Sequence, residues 1–298
     1  TALAGLEHGL GDQTVYCPGV FVHAGRTYED WQGHGHVDLT KGIGRSCNVY
    51  FWTMGLRLGT ERMGEMAQKL GLDGTSGLRD LSGEKPGEFP FGADPLNTAI
   101  GQGGHLYTPL QIAVFFATVA NGGTRYRPYL VDQILTPAGE VVYQASPEVL
   151  AELDVPQSTL DRVVDGMVGV TSCIEGWCGT AYGTFAGAPY VVAGKTGTVE
   201  RGGLGSEWNH AWFASFAPAG AGQQPEIAVV VLIEGGGGGS RAAAPVARRI
   251  YDVYFGLAPS PLDPPPVEPE PPVGTPTPTV REDSPVDSGN ILAHLAPR

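Results

Sequence analysis

No apolar run in the sequence approaches the ~20 residues that a membrane-spanning helix needs. Charge is also sparse: charged residues make up 16% of the 298 positions, against 42% hydrophobic. Within that small set bases are outnumbered, 18 to 31, and the net charge of −13 argues against a nucleic-acid backbone or an anionic membrane surface as the main partner. The imbalance is spread along the chain, so it carries no information about a site. Cysteine is limited to Cys17, Cys47, Cys173 and Cys178. No His or Cys pair stands near enough in sequence to complete a zinc-type set, and the histidines of "GHGH", His34 and His36, are too few to make one. The expectation is no metal and no cofactor. The cysteines of "CIEGWC" are spaced to close a short loop as a disulfide, with two free thiols as the alternative.

No signal peptide opens the chain. Its first residues, "TALAGLEHGLG", read as the end of a helix without its beginning: Leu3 and Leu6 share a face, and Gly9 and Gly11 are stop signals. The expectation is a fragment of a longer protein. At the other end, residues 257–298 separate on composition, holding 12 of the 25 prolines and almost no large apolar side chains. Such a segment cannot bury enough surface to offset its ordering entropy, and it reads as a disordered acidic tail after a folded body at 1–256.

What is present in the body is a mixture of helical and strand patterns. "SCNVYFWTMGLRLG" (46–59) starts at a candidate N-cap, Ser46, and is apolar all round, as a buried helix would be. "TERMGEMAQKLGL" (60–72) is amphipathic. "TPLQIAVFFATVANGG" (108–123) carries Thr108 as N-cap, Pro109 in the first turn and Asn121-Gly122 as the stop. Residues 158–171 read as another helix. Three strands are expected at 190–199, 210–217 and 226–234, joined as antiparallel hairpins and followed by a helix in "SRAAAPVARRIYDVYF".

The first of these three strands poses the chemical question, because "VVAGKTGTVE" puts Lys195 between hydroxyls in an otherwise apolar strand. A phosphate loop would need a glycine six residues before the lysine and a helix directly after it. Pro189 occupies the first position and the strand pattern continues through the second, so the nucleotide reading fails. A second short pattern, "SCN" at 46–48, can present a serine hydroxyl beside an amide at a helix start. Alone it is weak, and "SGN" at 288–290 matches it equally well.

Taken together, "SCN" followed by "KTGT" resembles the penicilloyl-serine transferases, whose signatures are S-x-x-K, S-x-N and K-T-G. The stretches "GHGHVDLTKGIGRSCNVYFW", "DLSGEKPGEFP", "NTAIGQGGHLYTPLQIAVFFATVANGG", "GTAYG", "AGKTGTVE" and "HAWFASFAP" resemble class B penicillin-binding proteins more narrowly. The resemblance implies an α/β (α+β) fold, an antiparallel sheet flanked by helices. It implies a serine D,D-transpeptidase acting on D-alanyl-D-alanine stem peptides through an acyl-enzyme and acylated by β-lactams. It also implies an enzyme held at the outer face of the cytoplasmic membrane by an upstream span, with a SEDS-type glycan polymerase as partner and no nucleic acid. Ser46 and Asn48, with Lys195 and Thr198, correspond to its catalytic groups. Thr196, Gly197, Gln102 and Trp208 would border the substrate. The S-x-x-K serine and lysine would precede Thr1. The literal match, Ser82 to Lys85, is discarded because Gly83 and Pro86 oppose the helical turn the pair requires. A class D-like β-lactamase and a non-catalytic β-lactam sensor are the alternatives.

Overall fold

The computed structural model describes residues 1–80, 82–200 and 208–258. The expected tail therefore lies outside the described residues, apart from its first two positions.

The chain opens with α1 (Ala2–Glu7), whose N-cap is Thr1. Four short strands follow, β1 (Val15–Cys17), β2 (Val20–His23), β3 (Arg26–Glu29) and β4 (Gly35–Val37), with β2 and β3 forming a hairpin nested between the β1–β4 pair. Helix α2 (Leu39–Gly44) starts where the Asp38 carboxylate accepts the Lys41 N–H, and α3 (Asn48–Lys69) follows after a tight turn. Within α3, Gly59 takes φ 71° and ψ 171°, a conformation open to glycine and costly for other residues. The two helical patterns read at 46–59 and 60–72 are thus two helical stretches that meet at a break at Gly59.

Next come α4 (Pro95–Ala99) and α5 (Pro109–Ala120). The latter has the expected start: Thr108 Oγ1 accepts from Gln111 N while the Gln111 side chain accepts from Thr108 N, with Pro109 in the first turn. A cap of this kind contributes ~1 kcal/mol. Strands β5 (Thr124–Tyr126) and β8 (Val149–Glu152) pair around a hairpin of β6 (Gln133–Leu135) and β7 (Val141–Gln144). Helix α6 (Gln157–Thr171) is followed by a minimal hairpin, β9 (Cys173–Ile174) and β10 (Trp177–Cys178), and by α7 (Tyr182–Phe185). The structure bonds Cys173 to Cys178, as the spacing allows.

The main sheet is β11 (Ala193–Val199), β12 (His210–Ala217) and β13 (Ile227–Ile233), in that order and antiparallel throughout, as expected. Helix α8 (Ala243–Tyr254) packs on β12 and β13, and so does α5. Strand β12 is accordingly buried along most of its length. Its Ser215 hydroxyl meets Tyr251 of α8 at 2.8 Å. Helix α6 packs against both α2 and β11, and this contact decides where the chemistry can be. It holds the end of α2 beside an edge strand that lies some 150 residues further along the chain.

Candidate active site

Ser46 does not cap α3. The N-cap is Cys47, whose sulfur accepts from Tyr50 N at 3.4 Å, and Ser46 sits one residue earlier in the α2–α3 turn. It takes φ 52°, a left-handed conformation rare outside glycine that costs on the order of 1–3 kcal/mol and persists only where the surroundings impose it. The turn is closed from below by Ser46 N donating to Ile43 O at 3.1 Å and Cys47 N to Gly42 O at 3.0 Å. The result lifts the Ser46 hydroxyl out of the helix line and toward β11.

There Lys195 Nζ donates to Ser46 Oγ at 2.7 Å and to Thr196 O at 2.7 Å. Burial lowers the Lys195 ammonium to about 8, which leaves most of it protonated at neutral pH. Asn48, half-buried at the first position of α3, has no side-chain hydrogen bond among the described residues. On β11 the hydroxyl of Thr196 pairs with that of Thr180 at 2.8 Å. Thr180 lies in the "GTAYG" stretch and was not singled out as a site residue. Exposed Thr198 accepts twice: its carbonyl from Gln102 Nε2 at 2.9 Å, and its hydroxyl from Gly239 N at 3.4 Å.

Strand β11 has β12 on one side and no strand on the other among the described residues, so it offers a free edge. The face of Gly197 is not free. A side chain at Gly239 would lie 2.5 Å from Gly197 O, so the chain's own glycine run rests on that backbone. The glycine pair serves internal packing, and any peptide pairing with β11 must use its edge. Trp208 is 52% exposed after the 201–207 stretch, with no contact to Ser46 or Lys195 described. Ser82 and Lys85 are exposed in an irregular segment, where Gly83 takes φ 81°, so they do not share a helical turn.

The reading that excluded a metal set needs correction. Cys17, Asp30, His34 and Cys47, all buried, converge so that one donor atom of each lies within 4.8 Å of the others. Asp30 Oδ2 is the hub, 3.5 Å from Cys17 Sγ, 3.4 Å from Cys47 Sγ and 3.5 Å from His34 Nδ1, while Cys17 Sγ is 3.4 Å from that nitrogen. Metal–ligand bonds of ~2.0–2.3 Å give a tetrahedron with edges of roughly 3.3–3.8 Å, and two thiols, an imidazole and a carboxylate form a zinc-type donor set. These four residues are therefore the ones that could hold such an ion. Burial pushes the Cys47 thiol well above the usual range, and a cation would have to displace its proton. His36 is not part of the cluster; its ring packs edge-on against Tyr16. Because Cys47 is the middle residue of "SCN", the cluster lies directly beneath the Ser46 turn.

Comparison with known proteins agrees with this geometry. Residues 1–252 match the family described as penicillin binding protein transpeptidase domain. The chain is 30% identical over 274 residues to the peptidoglycan D,D-transpeptidase MrdA of Haemophilus influenzae, an alignment covering 81% of this chain and 40% of that protein. Among solved structures, it is similar to a component of a peptidoglycan synthase complex that coordinates polymerization and crosslinking, with TM-score 0.74, 31% identity, and coverage of 87% and 45% of the two chains. It is also similar to penicillin-binding protein A from M. tuberculosis in a ceftriaxone acyl-enzyme complex, with TM-score 0.71, 27% identity, and coverage of 84% and 57%. The chain spans 40 to 42% of the length of the first curated relatives it matches. Helices flanking an antiparallel sheet are what the sequence resemblance implied, and the chain belongs to the penicillin binding protein transpeptidase domain family.

Proposed function

We propose that this chain supplies the S-x-N and K-T-G half of a peptidoglycan D,D-transpeptidase site. The observation that carries the reading is the 2.7 Å contact between Lys195 Nζ and Ser46 Oγ, two groups 149 residues apart. A serine nucleophile is weak unless a base stands beside it. In this reading the nucleophile and its lysine base belong to an S-x-x-K segment outside residues 1–298. That placement is supported by the irregular, exposed setting of Ser82 and Lys85.

The roles follow from chemistry. The Ser46 hydroxyl, donor and acceptor at once, relays the proton from the base to the leaving D-alanine amine. The positive potential of Lys195 favours a neutral base nearby and attracts the terminal carboxylate of the donor peptide, which Thr198 Oγ1 also contacts. The Asn48 amide holds the substrate's backbone. The N–H of Thr198 is half of an oxyanion hole, a donor worth ~3–4 kcal/mol in comparable acyl transfers. Thr196 and Gly197 line the strand, and Gln102 and Trp208 border the peptide as it pairs with the edge of β11.

The second product is a cross-link, formed when an amine of another stem peptide resolves the acyl-enzyme. β-Lactams acylate the same serine. The protein acts at the outer face of the cytoplasmic membrane beside a SEDS-type glycan polymerase. No helix among the described residues is long and apolar enough to cross a membrane. The body at 1–256 is the transpeptidase domain, and 257–298 are its acidic tail. The test is to supply a D-alanyl-D-alanine stem peptide and an amine acceptor to the protein carrying this chain. Cross-linked product supports the reading, hydrolysis of the peptide alone identifies a carboxypeptidase, and binding without turnover identifies a sensor; a β-lactamase-like enzyme would instead show rapid loss of a penicilloyl adduct.

A further inference from the structure

The left-handed Ser46 turn is held from outside by one small element. It meets both residues before Ser46, Gly44 and Arg45. Gly44 O accepts from Thr180 N at 3.1 Å, and Arg45 Nη1 donates to Cys178 O at 2.6 Å. The indole of Trp177 covers Gly44 so closely that a Cβ on that glycine would lie 2.6 Å from its ring. The same indole closes over Gly169 of α6, where a Cβ would lie 3.1 Å from it. From the other side, Trp31 Nε1 donates to Arg45 O at 3.2 Å and its ring lies 4.9 Å under the Arg45 guanidinium.

The segment that makes the first three contacts is the β9–β10 hairpin and the two residues after it. Its strands have two residues each, too few to persist unaided. Glu175 and Gly176 form the connection, both with positive φ, and the Cys173–Cys178 disulfide closes the base. Gly179 N then donates to Ser172 O, and Gly179 lies against α6 where a Cβ would be 2.0 Å from Gly169 O. Immediately beyond, Thr180 bonds both halves of the site: its N–H to the Ser46 turn and its hydroxyl to Thr196 of β11.

We propose that this disulfide-closed hairpin is a positioning brace for the reaction. It fixes the Ser46 turn relative to β11, and Trp177, Arg45 and the disulfide itself are positioning residues that act through Ser46. A strained conformation survives only where its surroundings over-determine it, and the hairpin segment supplies three of the contacts that do so. The brace rests on the transpeptidase reading for its consequence, though its geometry does not.

The experiment measures β-lactam acylation by the intact enzyme carrying this chain, split into the binding constant and the first-order acylation rate, across pH. The variants are Cys173→Ser with Cys178→Ser, Trp177→Ala, Trp177→Phe and Arg45→Ala. A displacement of about an ångström at a reacting group costs up to ~100-fold, so the first-order rate should fall about 10- to 100-fold in the cysteine double variant and in Trp177→Ala. Binding should hold within about threefold, and Trp177→Phe, which keeps a flat ring over Gly44, should recover most of the rate. Circular dichroism selects the variants that fold, and the tryptophan and arginine variants carry the test if the double variant does not. Rates equal to the parent in folded variants overturn the proposal. A loss confined to binding, or matched by loss of folded protein alone, also overturns it by leaving the hairpin a merely structural role. If the parent itself does not acylate, the transpeptidase reading fails. The brace is then judged by titrating Lys195 by NMR, where an unchanged curve in Trp177→Ala refutes it.

Discussion

Two pairs of cysteines flank the Ser46 turn, and they hold it in different ways. Cys173 and Cys178 are five residues apart and covalently joined, and they brace the turn from outside through Trp177 and the Cys178 carbonyl. Cys17 and Cys47 are distant in sequence and unbonded, and they underlie the turn through a shared carboxylate oxygen of Asp30. The first pair meets the Arg45 side chain, next to Ser46, through the Cys178 carbonyl, while the second is folded into the core with β1 and α3. The outer pair should therefore govern rate more than stability, and the inner pair stability more than rate.

The largest effect is expected at the hub of the inner pair. Asp30→Ala strands two buried thiols, an imidazole and the Val49 N–H, which bonds Asp30 Oδ2 at 3.2 Å. Removing one partner from such a buried set costs about 3–5 kcal/mol, read as a lower midpoint in chemical denaturation. A chelator should lower the thermal midpoint of the zinc-loaded parent and leave Asp30→Ala unmoved. Equal sensitivity of the two would mean the cluster binds no metal.

Lys195→Ala should follow, with acylation reduced about 100- to 1,000-fold, the scale of a lost transition-state cation or donor. It sets the ceiling for what either cysteine pair can do through Ser46. The same lysine predicts a pH dependence. Its folded-state pKa is lowered to about 8 by burial, so above that pH the site loses its positive charge and acylation should decline through an alkaline limb there. For stability the sign is opposite. Between about 8 and the unfolded value near 10.4, the unfolded chain binds more protons, so this group contributes rising stability across that window. An alkaline limb near 10 would show that the ammonium is not withdrawn from water.

Breaking the outer pair should cost less in stability than losing Asp30. Opening a six-residue loop removes about 2 kcal/mol in the chain-entropy picture, and calorimetry of the double serine variant reads it directly. A loss larger than that of Asp30→Ala would invert the comparison. Smallest of all is Gln102→Ala, which frees the Thr198 carbonyl at the edge of β11. One hydrogen bond of ~0.5–1.5 kcal/mol should appear as a change in peptide affinity of about threefold to tenfold, with little effect on the first-order rate.

Much of this was legible in the sequence where local rules apply. The three strands, the α5 capping box and the S-x-N and K-T-G motifs are short patterns whose geometry is set within a few residues. The Cys173–Cys178 bond belongs to the same class. Ser46 was misassigned as a cap because a serine before an apolar helix satisfies the capping rule, while the contacts that hold its left-handed turn from outside come from Trp177, Cys178 and Thr180, remote in sequence. The inner cluster was missed for a similar reason. Its donors are separated by 13 and 17 residues, and only the Asp30–His34 spacing, one helical turn's worth, falls within a local pattern. The paired strands β1–β4 and β5–β8 with their nested hairpins were absent from the reading too. They are three or four residues long and the hairpin strands are largely exposed, so they carry little hydrophobic periodicity.

In the proposed transpeptidase, Ser46 and Lys195 form half of an acyl-transfer site. Its most direct test is the intact mass of the protein after benzylpenicillin is added, for this chain, for a version extended upstream, and for the extended version with Ser46→Ala or Lys195→Ala. The expected result is one long-lived adduct on the extended protein, none on residues 1–298 alone, and adduct formation slowed about 100-fold or more in both variants. An adduct on the short chain, or full-rate acylation without Ser46 or Lys195, would contradict it.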